Sequence, residues 1–197
     1  MEEFLPLTDS DARSVINTLV SAFSADPLMN WISPSAAFLR MSLEFAMPAY
    51  LCSGYSYSDA DRCGVALWAR PDALPKLAVT WKDVWRLYRV GGLRSLIRFY
   101  KVERLSERWH PAEPHYYLFM IGVNTAAKGK GTGKRLIRHV LDQCDDEGVG
   151  AYLENSNEKN LTFYESVGFK VTNVIELGAG APRMWLMWRE PQTKGEA

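Results

Sequence analysis

One stretch, residues 116–169, constrains the fold more than the rest of the chain. Residues 116–123 form an apolar run rich in aromatic and β-branched side chains, long enough for a buried strand. Beyond it comes Lys128-Gly129-Lys130-Gly131-Thr132-Gly133-Lys134-Arg135, after which Leu136, Ile137, Val140 and Leu141 recur with the spacing of an amphipathic helix. Glycines on alternate positions let the main chain pass close to a ligand and turn several N–H groups toward one point. The helix start adds unpaired N–H groups and the positive end of its dipole, so the expected occupant is an anion, a pyrophosphate. Lys128, Lys130, Lys134 and Arg135 add positive charge around it.

Two other phosphate loops compete for this segment. A P-loop requires G-x-x-x-x-G-K-[ST]; the run from Gly129 to Gly133 is one residue short, and Arg135 stands where the magnesium-binding hydroxyl belongs. A dinucleotide fingerprint requires G-x-G-x-x-G, and Lys134 occupies the place of its third glycine, although Glu154 imitates the ribose-binding acid further on. Competition by coenzyme A separates that nicotinamide alternative from the one developed next.

Residues 151–155 read as a short strand and residues 157–169 as a helix ended by Gly168. Here the sequence resembles the GNAT superfamily of N-acetyltransferases. The loop Lys128-x-x-Gly131-x-Gly133 is similar to its acetyl-CoA loop, and Asn157, Tyr164 and Gly168-Phe169 are similar to its second signature. Within the superfamily the resemblance is closest to puromycin N-acetyltransferase and its relatives. It rests on Glu113-Pro114, Gly122-Val123, Tyr152-Leu153-Glu154-Asn155-Ser156, Asn160-Leu161-x-Phe163-Tyr164-Glu165, Gly168-Phe169-x-Val171-Thr172 and Trp185-x-Met187. It covers the C-terminal half well and the N-terminal half in outline.

The resemblance implies an α/β fold with a mixed, splayed central sheet of six to seven strands flanked by helices. It implies acetyl-CoA as co-substrate, with main-chain groups of Ile121 and Val123 pairing with the pantetheine arm. The pyrophosphate would lie on Lys128, Gly129, Lys130, Gly131, Thr132, Gly133 and Lys134, and Asn157 would bind the arm with help from Asn160. Tyr164 matches the family's tyrosine, whose hydroxyl faces the thiol sulfur and acts as general acid; a phenol of ordinary pKa, about 10, is protonated at neutral pH. Some members carry a glutamate on the strand before the loop, but here Tyr117 stands at that place. Glu154 and, ranked below it, His115 are the candidates to take the amine proton. Glu154 alternatively binds the acceptor's ammonium.

At 197 residues the chain fits one domain, 1–197, with a core that needs no disulfide or structural metal. The 23 acidic and 23 basic residues cancel, which argues against a nucleic-acid or membrane partner. Cys52, Cys63 and Cys144 form no C-x-x-C pair, and the three histidines have no metal-ligand spacing. The acidic start Met1-Glu2-Glu3 is unlike a secretory leader, and the expected location is cytoplasmic. The oligomeric state is left open.

Toward the N-terminus, residues 4–7 read as a first strand, followed by a helix carrying Val15, Ile16, Leu19, Val20 and Phe23 and ended by Asp26-Pro27. A second helix covers about 35–51, and two strands follow over 54–58 and 64–70. Phe23, Trp31 and Phe45 are acceptor-side candidates, with ordinary core the stronger expectation for each. Residues 72–110 read as a helical insert interrupted at Gly91-Gly92, where nine basic residues outnumber four acidic ones. Most of those charges are read as a solvated face, and the aromatic stripe as a candidate pocket wall. The function expected is transfer of an acetyl group from acetyl-CoA to a primary amine of a small molecule; the alternative is an acyl-CoA-binding sensor that transfers nothing.

Overall fold

The computed structural model describes residues 4–71, 75, 79–127 and 129–192. Seven strands make one sheet: β1 (Leu5–Pro6), β2 (Tyr57–Ser58), β3 (Gly64–Ala69), β4 (His115–Val123), β5 (Gly150–Asn155), β6 (Lys170–Glu176) and β7 (Arg183–Arg189), in the order β1-β2-β3-β4-β5-β7-β6. Only β4 and β5 run parallel; the other neighbours are antiparallel. Among the described residues six α-helices accompany it: α1 (Ala12–Ala22), α2 (Pro27–Ile32), α3 (Ala36–Leu51), α4 (Trp81–Trp109), α5 (Thr132–Glu147) and α6 (Leu161–Glu165).

Strand β3 shows how the layers form. It is buried on both faces, and alternate residues divide between two cores. Ala66 and Trp68 pack with Leu136, Ile137, Val140 and Leu141 of α5, while Val65, Leu67 and Ala69 pack with α1 and α3. A third core joins α2, α3 and α4 to β5, β6 and β7 through Leu28, Phe38, Leu87, Val102, Tyr152 and Ile175.

The parallel pairing of β4 with β5 runs from His115↔Gly150 to Leu118↔Leu153 and goes no further. Beyond Leu118, β4 continues to Val123 against β3, while β5 continues to Asn155 against β7. The sheet therefore splays, and an edge of β4 is left open between its two halves.

One segment differs from the sequence expectation. Asp26-Pro27 does not merely end a helix: α1 stops at Ala22, and Asp26 caps a new helix, accepting hydrogen bonds from the N–H groups of Leu28 and Met29 with Pro27 at the first helical position. The helical insert is interrupted at its glycine pair, as expected: α4 is two helices meeting at Gly92, whose φ of 73° and ψ of 176° are not helical. Gly91 beside it lies against the Phe38 ring, where a Cβ would overlap. Asp72 and Lys76 of the basic insert lie outside the described residues, as does Lys128 of the glycine loop. Trp31 and Phe45 pack against the third core, as ordinary core does.

Among the described residues no helix is long and apolar enough to cross a membrane. Cys52, Cys63 and Cys144 are free thiols, and no group of metal-ligating side chains is found among the described residues.

Candidate active site

Two adjoining cavities occupy the splay. The smaller, 470 Å³, is a groove between the glycine loop, the end of β4 and the segment around α6. Gly129 and Gly131 both have positive φ, 84° and 76°, and Gly131 is the residue before α5, so left-handed backbone brings the chain into the helix from the groove side. A non-glycine residue there would be strained. Arg135 folds back onto the loop, donating to the Lys130 carbonyl at 2.9 Å and to Thr132 Oγ1 at 3.3 Å. Gly129, Gly131, Thr132, Gly133 and Lys134 line the groove, with Val123 from the open edge of β4. Lys130 is exposed on the loop. Unpaired helix-start N–H groups, a left-handed loop and a lysine make a fitting seat for a pyrophosphate, and the open edge of β4 fits an extended arm beside it.

On the opposite wall Asn157 caps the short 3₁₀ turn Glu158–Asn160, its side-chain oxygen accepting from the Lys159 N–H at 3.2 Å. Asn155 holds the approach to that turn: its amide donates to the Asn157 carbonyl and its oxygen accepts from the Asn157 N–H.

The larger cavity, 810 Å³, is walled by Phe23 just past α1, by α2, α3 and α4, and by the faces of β4 and β5. Phe23, Asp26, Ile121, Asn160 and Tyr164 line both cavities, so the two spaces meet among these side chains. Tyr164 is only 8% exposed. Burial, and then the charge of Asp26, push its phenol well above the ordinary tyrosine range, so it is a proton donor at neutral pH. Asp26 is also 8% exposed. Burial raises its carboxyl above the usual aspartate range, against the lowering effect of the Met29 and Leu28 N–H groups and of the Ser156 hydroxyl. Oδ1 takes both N–H bonds, while Ser156 Oγ lies 3.3 Å from Oδ2.

Glu154 and His115 are in different positions. Glu154 lines the larger cavity, where Ser106 Oγ donates to Oε2 at 2.8 Å and Tyr152 donates to Oε1 at 3.1 Å; burial raises its pKa despite both bonds. His115 is buried and outside the lining of either cavity. Its Nδ1 must carry hydrogen to bond the Glu113 carbonyl at 2.6 Å, which leaves Nε2 as acceptor for His110 Nε2–H at 3.0 Å. Both ring nitrogens are thus engaged, and none is left to take a proton from an amine. Burial lowers the pKa of His115, and burial and then His115 lower that of His110 to about 4, so the pair is uncharged at neutral pH.

Asp26, Tyr50, Glu103, Ser106 and His110 line the larger cavity without having been singled out as site residues in the sequence. For Asp26 a signal existed: an aspartate before proline is a helix start as readily as a helix end. Tyr117, the residue at the family's glutamate place, also faces this cavity. Glu103 is exposed, yet the protein around its carboxyl removes enough hydration to raise its pKa to about 7, with Glu154 and Glu107 adding to the rise.

A splayed mixed sheet with a left-handed glycine loop on one side of a buried phenol and a second cavity on the other is the arrangement expected of an acyl-CoA-dependent transferase. Residues 87–169 match the acetyltransferase (GNAT) family. The N-alpha-acetyltransferase RimI of Mycobacterium tuberculosis is 32% identical over 119 residues, which cover 57% of this chain and 73% of that protein. An N-acetyltransferase of Schizosaccharomyces pombe is 28% identical over 208 residues, 95% of this chain and 83% of the other. Among solved structures, one described as histone acetyltransferase HPA2 and related acetyltransferase, from Corynebacterium glutamicum, superposes with a TM-score of 0.69 at 27% identity, covering 98% of each chain. The chain belongs to the GNAT acetyltransferase family and is an acetyl-CoA-dependent N-acetyltransferase.

Proposed function

We propose that the acceptor is a primary amine of a small molecule, acetylated directly at the junction of the two cavities, in one domain spanning residues 1–197. The observation that carries this reading is the 810 Å³ acceptor-side cavity that opens onto the groove beside Tyr164 and Asp26. That volume lies within the range of small-ligand sites, about 300–1,000 Å³.

Acetyl-CoA, when bound, supplies a thioester carbon to which the amine nitrogen bonds as the carbon–sulfur bond breaks, giving amide and thiol. Main-chain N–H groups from Gly129 to Lys134, with Lys130 beside them, hold the diphosphate. Ile121 and Val123 offer main-chain groups to the pantetheine arm, and Asn157 and Asn160 flank it. Tyr164 gives its proton to the leaving sulfur, which its raised pKa permits without loss of the proton beforehand. Asp26 takes the proton that the amine loses, through Oδ2, the oxygen free of helix-cap bonds. Glu154, already bonded by Ser106 and Tyr152, serves the acceptor's charge, and His115 orients His110 from behind the wall.

An acceptor at a peptide N-terminus is the second reading, favoured by the name of the mycobacterial relative. The resemblance to puromycin N-acetyltransferase makes puromycin one member of the test panel, and a cytoplasmic location accords with the supply of acetyl-CoA. Coenzyme A release is measured with a thiol reagent for alkylamines, arylalkylamines, puromycin and short peptides. Faster turnover of any small amine than of every peptide is the expected result; the reverse order overturns the proposal.

A further inference from the structure

The far wall of the acceptor cavity carries charge that acetyl transfer itself does not use. Glu154 stands on β5, and Glu103 and Glu107 line the same cavity from α4. Arg104 bonds Glu107 at 2.9 Å, so that carboxylate has its counter-ion. Glu103 and Glu154 have none among the described residues. The two bonds to Glu154 come from uncharged hydroxyls, which orient the carboxylate without neutralising it. His110, the titratable neighbour on the same wall, is uncharged at neutral pH.

A second observation points to a ligand. Tyr50 is 5% exposed and lines the cavity, and its hydroxyl has no hydrogen-bond partner among the described residues. That hydroxyl is open to the cavity and is available to donate to or accept from a ligand there. Its ring stacks on Phe119 at 4.1 Å, and Tyr117 lines the same wall, so the carboxylates stand over aromatic surface suited to an organic cation.

This acidic pole is distinct from the reacting one. Asp26 and Tyr164 line both cavities, whereas Glu103, Glu154 and Tyr50 line the larger one and not the groove. Glu154 precedes Ser156, the partner of Asp26, by two residues, which in extended chain is about 7 Å.

We propose that the acceptor is a small diamine: the reacting nitrogen sits at Asp26 and Tyr164, and a second, protonated nitrogen is held by Glu154 and Glu103 with the Tyr50 hydroxyl beside it. This rests on the small-amine reading above and adds its substrate class. A monoamine would leave an alkyl end against two carboxylates, and an anionic acceptor would be repelled by both poles.

The test compares 1,4-diaminobutane and 1,5-diaminopentane with butylamine and pentylamine, by coenzyme A release at neutral pH. A kcat/KM at least about tenfold higher for the diamines is expected, since a desolvated charge pair is gained. Glu154→Gln removes most of that preference, and Glu103→Gln, on the more open wall, gives the same readout if the first variant fails to fold. Equal turnover of diamines and monoamines, or a preference unmoved by both substitutions, overturns the diamine proposal and leaves the small-amine reading standing. Release with none of the four amines, while calorimetry shows coenzyme A bound and peptides are acetylated, overturns both.

Discussion

Ser156 Oγ lies 3.3 and 3.4 Å from the two carboxylate oxygens of Asp26, across 130 positions of sequence. The contact ties the cap of α2 to the chain leaving β5 at the point where the two cavities meet, and holds a buried carboxylate beside Tyr164.

Asp26→Asn isolates the charge from the structure, because asparagine caps helices as well as aspartate does. We expect kcat/KM to fall about 100-fold or more at neutral pH, with coenzyme A affinity by calorimetry unchanged. Burial raises the Asp26 carboxyl, so in the wild type the acid limb of kcat/KM, where the carboxyl gains its proton, lies above the usual aspartate range. The variant's deficit should narrow as pH approaches the acceptor's own pKa, where free amine needs no base. A deficit constant with pH counts against the role.

Tyr164→Phe removes the proton donor while keeping the ring that packs against Phe163 and Phe169. kcat should drop about 100-fold or more with little change in coenzyme A binding. Normal kcat would place the donor elsewhere.

Gly131→Ala tests the loop. At a φ of 76° an alanine costs about 1–2 kcal/mol, so coenzyme A affinity should weaken roughly tenfold or the loop should shift. Titration calorimetry reads this directly.

Glu103 offers a second pH effect, opposite in direction to simple ammonium titration. Its carboxyl, facing Glu154, Glu107, Arg104 and Tyr50, loses its proton at about pH 7. KM for a diamine should therefore fall as pH rises through 7, and Glu103→Gln should flatten that change.

Arg189 is a prediction about stability. Its guanidinium, 4% exposed, bonds both oxygens of Asp145 at 2.7 and 2.8 Å and the Val167 carbonyl at 3.0 Å, fastening β7 to the end of α5. Arg189→Met takes the buried guanidinium away from Asp145 and should cost about 3–5 kcal/mol in denaturant unfolding. Replacing Asp145 with asparagine as well should recover part of the loss.

Much of the central half was legible in sequence. The apolar run ending at Val123 and the helix carrying Leu136, Ile137, Val140 and Leu141 are where expected, as is the break at Gly91-Gly92. Tyr164, Asn157 and the glycines come to one groove. His115 and Glu154 looked alike as candidates because each is a titratable side chain at the end of a strand. Only their partners separate them: His110 and the Glu113 carbonyl occupy one, and two hydroxyls orient the other toward the cavity. The Asp26-Pro27 pair was ambiguous because helix starts and stops share residue types.

The sequence by itself determined the strand, the glycine loop and the helix behind it, because periodicity and glycine's left-handed backbone act over a few residues at a time. Only the tertiary structure decided that β4 and β5 part after Leu118, that Asp26 meets Ser156, and that α4 brings Ser106 and Glu103 to the wall that holds Glu154. Those meetings depend on how separate helices bury their apolar faces against one sheet, and no local pattern records which faces will oppose.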